Sequence, residues 1–189
     1  VPVEPIDDGT RGAILFTSAR PGAPQMYTVR PLTEHDLVQL LHMIKELAAF
    51  ERLESMVSAS EAGLRECLLG EDPCAEVLVA VEGEAACGYA VFYPTMSTFL
   101  GSRGLFIEDI YVRPAERGKG VGTMLFERVA ALAAERGCGR LEWAVLDWNE
   151  RAQAFYRRQG AGALDEWSTF RLEGSALAAA AERGQRRQA

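Results

Sequence analysis

The chain has 189 residues, 48% hydrophobic and 25% charged, the composition of one ordinary soluble domain long enough to bury a core. A formal net charge of −7 and a pI near 5.0 argue against binding a nucleic-acid backbone and are compatible with a cationic substrate. No apolar run reaches the roughly 20 residues that span a bilayer. The four cysteines, Cys67, Cys74, Cys87 and Cys138, lack metal-ligand spacing, and two histidines, His35 and His42, are too few for a histidine metal centre. Reduced thiols, no metal, no membrane or nucleic-acid partner and a cytoplasmic location are the expectations.

Residues 1–25 hold four prolines and three glycines around a short apolar patch, Ala13 to Phe16, and read as a flexible leader or extension. Tyr27 to Arg30 suits a short strand before Pro31, and Thr33, three residues ahead of Asp36, suits a helix N-cap. Leu37, Leu40, Leu41, Ile44, Leu47 and Ala48 recur at helical spacing, which predicts an amphipathic helix from Glu34 to about Phe50. A second helix is expected after Ser60, ending near Gly70. Val77 to Val81 and Ala86 to Tyr93 then make a hairpin around a turn at Glu82 to Glu84.

After a loop from Pro94 to Arg103, the segment LFIEDIYV, Leu105 to Val112, reads as a strand ended by Arg113 and Pro114. Arg117 to Gly122 is a glycine-rich turn. Thr123 to Arg136 is helical, with Leu125, Val129 and Leu132 on one face and Gly137 as its C-cap. Arg140 to Leu146 reads as a strand, Glu150 to Gln159 as a helix closed by Gly160, and Thr169 to Leu172 as the last strand. Residues 174–189 form an Ala-rich, then basic tail, read as a solvated terminus. The pattern is mixed α/β without repeats, a domain over 26–173 with an extension at each end.

The sequence RGKGVG, Arg117 to Gly122, brings unencumbered backbone N–H groups to a helix start, where orphan donors and the positive end of the helix dipole favour an anion such as a pyrophosphate. The spacing does not fit a GxxxxGK P-loop followed by Ser or Thr. Nor is it a dinucleotide fingerprint, because Gly118, Gly120 and Gly122 alternate and residues 114–117 separate them from the strand.

FIEDIYVRPAERGKGVGTMLFERV resembles the acetyl-CoA-binding motif of the GNAT acetyltransferase superfamily, with Arg117, Gly120 and Gly122 at its defining positions. AVLDWNERAQAFYRRQGA resembles the next GNAT motif, an Asn before a helix that carries a Tyr, filled here by Asn149 and Tyr156. With LLHMIKELAAFERLE the pattern is similar to the branch of diamine and thialysine N-acetyltransferases, and it covers roughly Tyr27 to Leu172. The resemblance implies a GNAT fold: a central, mostly antiparallel mixed sheet, splayed at the acetyl-CoA site and flanked by helices, in a homodimer. It implies acetyl-CoA as cosubstrate, held by Ile110, Tyr111 and Val112 on the strand, by Arg117, Gly118, Lys119, Gly120, Val121, Gly122 and Thr123 at the turn, and by Asn149, Tyr156 and Arg158.

Acetyl transfer to an amine needs an uncharged nucleophile, a polarised carbonyl and a proton for the leaving thiolate. By the same resemblance Tyr156 is the general acid, Glu108 accepts the amine proton directly or through water, and a backbone N–H near Ile110 faces the carbonyl. Side chains alternate along a strand, so Asp109 is expected on the face opposite Glu108. Phe50, Glu51, Phe99, Glu142, Glu166 and Trp167 fall where this branch surrounds a cationic substrate, with aromatic faces and carboxylates that favour an ammonium group. Phe99 stands where the branch has tryptophan, and the segment up to Glu108 is one residue longer. Phe50 and VLDWN, Val145 to Asn149, look more like the thialysine branch, which implies a lysine-like or small diamine acceptor. The alternatives are a peptide or protein amine and a non-catalytic CoA-binding role.

Overall fold

The computed structural model describes residues 26–187; the leader at 1–25 lies outside them. The described chain forms two compact units, one up to Ala144 and one from Val145. The first holds strands β1 (Tyr27–Pro31), β2 (Glu76–Glu82), β3 (Ala85–Ser97), β4 (Ser102–Val112) and β5 (Arg140–Trp143), in one sheet of that order. The first three pairings are antiparallel and β4 with β5 is parallel. This is the mixed, mostly antiparallel sheet expected.

β2 is buried continuously from Val77 to Val81, because helices cover the sheet on both faces. Helix α1 (Leu37–Glu51) lays Leu37, Leu40 and Met43 against Val77, Val79 and Val81, with Leu64 and Leu68 of α2 (Glu61–Leu69) beside them. Helix α3 (Val121–Glu135) packs on β3 and β4 through Val121, Leu125, Phe126, Val129 and Ala133, a helical repeat of buried positions. Full burial of one such side chain contributes roughly 1.5–3 kcal/mol.

Two local devices fix α1. At its entry, the buried Asp36 carboxylate accepts from the Thr33 N–H at 2.8 Å and the Thr33 hydroxyl at 2.7 Å. The Arg30 guanidinium grips the same carboxylate with two bonds, 2.6 and 2.8 Å. At its exit, the Leu53 N–H reaches back to the Ala48 carbonyl and the Arg52 N–H to Ala49, the paired bonds of a Schellman cap. Such caps place a left-handed residue after the helix, usually glycine. Here it is Arg52, at φ 61°, among the described residues the one non-glycine with positive φ.

The structure departs from expectation in three places. Pro94 to Arg103, expected as a loop, continues the hairpin: Ser97 pairs with Ser102 around a turn at 98–101. Pro94 is tolerated because β2 ends opposite Phe92, so its missing N–H breaks no ladder bond. The strand expected over Arg140 to Leu146 stops at Trp143, opposite Ile107, where β4 bulges. In the second unit, which holds α4 (Glu150–Arg158) and α5 (Gly174–Arg186), Thr169 to Leu172 is not a strand; Phe170 is 94% exposed, and that unit offers no strand to pair with. Helix α5 is almost entirely exposed.

Burial pushes the Asp36 carboxyl up, but the bonds from Arg30 and Thr33 outweigh it and hold the pKa at about 2, below the ordinary 3.8. A lowered carboxyl stabilises the fold above its unfolded pKa, and that stability is lost as pH falls through the folded value. After allowance for the partly exposed Arg30, the contribution is about 1–2 kcal/mol. Asp36→Asn is therefore expected to lower the urea midpoint at neutral pH, with the gap to wild type closing between about pH 4 and pH 2. Arg52→Gly relieves the left-handed strain and is expected to raise stability by about 1 kcal/mol in thermal unfolding.

Candidate active site

The turn between β4 and α3 is built as a cradle. Gly118 and Gly120 have φ of 81° and 93°, left-handed backbone in which a side chain is strained, and Gly120 is the N-cap of α3. The first intrahelical bond runs from the Met124 N–H to the Gly120 carbonyl, so the N–H groups of Val121, Gly122 and Thr123 form the open first turn. Gly122 is not in the left-handed region, and a Cβ there would make an ordinary 3.6 Å contact with Val112.

Neighbours brace this turn. Arg117 Nε donates to the Val112 carbonyl at 2.9 Å, and its guanidinium lies 5.2 Å from the Phe50 ring centroid and 5.6 Å from that of Tyr111. Lys119 Nζ is 3.0 Å from a carboxylate oxygen of Glu116, to which Tyr27 also donates. Glu82, Cys87 and Glu116 bring one possible ligand atom each within 4.8 Å of one another. The partners of Glu116 and the Cys87 thiol bond to the Ala85 carbonyl account for that grouping.

Strand β4 supplies a second component. The Arg113 N–H bonds back to β3 at Cys87, and in an antiparallel ladder successive residues face opposite neighbours. Tyr111 therefore also faces β3, while Ile110 and Val112 turn their backbone groups toward β5, whose pairing has ended opposite Ile107. The result is a stretch of strand edge beside the cradle. A diphosphate at the α3 N-terminus and an extended amide-bearing arm along β4 fit these donors.

The third component is an acidic and aromatic wall. Ala90 pairs with Ile110, Val91 with Asp109 and Phe92 with Ile107, which leaves Glu108 as the extra residue of a β-bulge. Glu108 is exposed, with the Tyr93 hydroxyl at 3.4 Å, whereas Asp109 turns into the protein, 3.5 Å from the Tyr89 hydroxyl. Burial, then the charges of Glu108 and Glu51, push the Asp109 carboxyl up to about 6. Burial also pushes Glu51 up, and burial followed by the Asp109 charge keeps Tyr89 protonated as a donor. Phe50, 41% exposed, precedes Glu51 at the end of α1; Tyr111 donates to Glu46 at 3.1 Å, with Arg113 Nε 3.4 Å from that carboxylate.

The other expected residues stand as follows. Glu142 on β5 is half-buried and ion-paired with Arg140 at 2.7 Å, and Phe99, at the hairpin tip, is 95% exposed. In the second unit, Asn149 caps α4 by accepting from the Ala152 N–H at 3.1 Å, Tyr156 is buried with an edge contact to Phe155, and Arg158 is exposed. Glu166 and Trp167 are exposed. Sequence reasoning missed Asp109, Tyr89 and Glu46. The acidic pair in FIEDIYV was visible in the sequence; the bulge at Glu108, which no local pattern announces, sets their surroundings.

Residues 38–161 match the model of the acetyltransferase (GNAT) family. A bovine thialysine N-epsilon-acetyltransferase is 40% identical over 160 residues, which cover 79% of this chain and 94% of the relative. An Arabidopsis thaliana L-ornithine N5-acetyltransferase is 30% identical over 196 residues, covering 80% and 86%. A solved structure of an integron cassette protein from the mobile metagenome of V. cholerae superposes with a TM-score of 0.69 at 27% identity, covering 82% of this chain and 97% of that one. Glycine cradle, mixed sheet and sequence agree, and the chain belongs to the GNAT family of N-acetyltransferases.

Proposed function

We propose that this enzyme transfers an acetyl group from acetyl-CoA to the primary amine of a small cationic acceptor, lysine-like (thialysine or ornithine included) or a short diamine. The observation that carries the acceptor class is the wall of Glu51, Glu108 and Asp109 beside the Phe50 ring, next to a cradle suited to a diphosphate. Carboxylates and an aromatic face attract an ammonium group. The 40% identity to a thialysine N-epsilon-acetyltransferase supports the same class.

When bound, acetyl-CoA supplies an activated thioester carbonyl. The N–H groups of Val121, Gly122 and Thr123 hold its diphosphate, and the edge of β4 from Ile110 to Val112 holds the amide-bearing arm. The Ile110 N–H donates to the carbonyl oxygen. Glu51 and Glu108 draw in the ammonium form of the acceptor. Asp109, with a pKa nearer neutrality than an ordinary carboxyl, is the better base at neutral pH, and it takes the proton for which the sequence suggested Glu108. Tyr156 returns a proton to the departing thiolate, and Asn149 fixes the start of the helix that carries it.

The first test is release of free CoA thiol from acetyl-CoA with a panel of amines. Stimulation by thialysine, ornithine or a short diamine above an aminoglycoside and a peptide amine is expected; equal rates for all would defeat the acceptor assignment. Tyr156→Phe is expected to reduce kcat by about 10²-fold or more while acetyl-CoA binding, followed by calorimetry, is retained. For Asp109 the sign follows from its raised pKa: the carboxyl is neutral below about 6 and a base above it, so kcat/KM should fall on the acid side with a midpoint near 6. Asp109→Asn should remove that limb with a loss of about 10²–10⁴. Glu108→Gln, by deleting a like charge, should move the limb to lower pH.

A further inference from the structure

Cys67 and Cys74 lie apart from the cradle and the acidic wall. Cys67 is near the end of α2, and Cys74 follows Pro73 in the connection to β2. The chain reverses at Gly70, where a Cβ would stand 2.4 Å from the Glu66 carbonyl, so the sequence has the residue this close turn requires. The reversal brings the Cys74 N–H to the Cys67 carbonyl at 2.9 Å and the Cys74 thiol to the same oxygen at 3.4 Å. A bond between their backbones holds the two residues side by side, the placement a disulfide needs. The neighbouring Cys74 thiol pushes the Cys67 thiol up. Both residues are exposed, whereas Cys87 is buried and Cys138 half-buried.

We propose that Cys67 and Cys74 form an oxidation site, a vicinal dithiol that hydrogen peroxide converts into an intramolecular disulfide. One thiolate attacks a peroxide oxygen, breaking the O–O bond and giving a sulfenic acid and water. The other thiolate attacks that sulfur, the S–S bond forms, and a second water leaves. Two thiols and one peroxide thus give one disulfide and two waters, with the two electrons passing from the sulfurs to the peroxide. The bridge closes a short loop from the end of α2 to the start of β2, in a chain whose Leu64 and Leu68 already lean on the α1 core. It restricts the unfolded chain and ties the helix to the sheet.

The sequence makes the product easy to read. Glutamate-specific cleavage after Glu66, Glu71 and Glu76 releases Cys67 and Cys74 in separate peptides, 67–71 and 72–76. The intact chain is treated with hydrogen peroxide, alkylated, digested and analysed by mass spectrometry, with its mobility checked by non-reducing electrophoresis. The two peptides are expected as one linked species from monomeric chain, separated by dithiothreitol, and the oxidised chain should melt several degrees above the reduced one. Cys67→Ser should show neither the linked species nor the gain. Unlinked peptides carrying sulfinic acid, linkage of either cysteine to Cys87 or Cys138, or linkage only between chains would each overturn the proposal.

Discussion

One extra residue in β4 organises the site. With Glu108 unmatched by β3, the strand changes which side chain it turns inward at the point where β5 stops pairing. Burial of Asp109 and the open backbone edge from Ile110 onward both follow from that irregularity. The bulge is affordable because the flanking ladder is long, running from Gly88 against Val112 to Ser97 against Ser102.

The sheet is also why the site holds its shape. β2 is apolar on both faces, so α1 and α3 are pressed onto opposite sides of one layer, and each delivers one end to the site. The end of α1 brings Phe50 and Glu51; the start of α3 brings the cradle. The left-handed Arg52 that closes α1 directly follows Glu51 of the acidic wall.

Much of this was legible in the sequence. Helical spacing in α1 and α3 and the alternation of RGKGVG give the helices and cradle directly, because they express one-dimensional periods and the backbone freedom of glycine. What stayed hidden depended on partners. Whether Pro94 ends a strand depends on where β2 stops, and whether Thr169 to Leu172 pairs depends on a neighbouring edge. Which of Glu108 and Asp109 is buried depends on a register shift that neither side chain announces. The nearness of Cys67 and Cys74 likewise comes from a turn at Gly70, and no spacing motif encodes it.

Arg117 stands as a shared wall between the cradle and the carboxylates. One edge of its guanidinium holds the Val112 carbonyl beside the cradle, and its face rests on Phe50 beside the carboxylates. A ligand that shifts this side chain from either direction changes the surface met by the other. Linkage then requires the influence to be mutual: whatever free energy the first occupant contributes to the affinity of the second, the second contributes equally to the first.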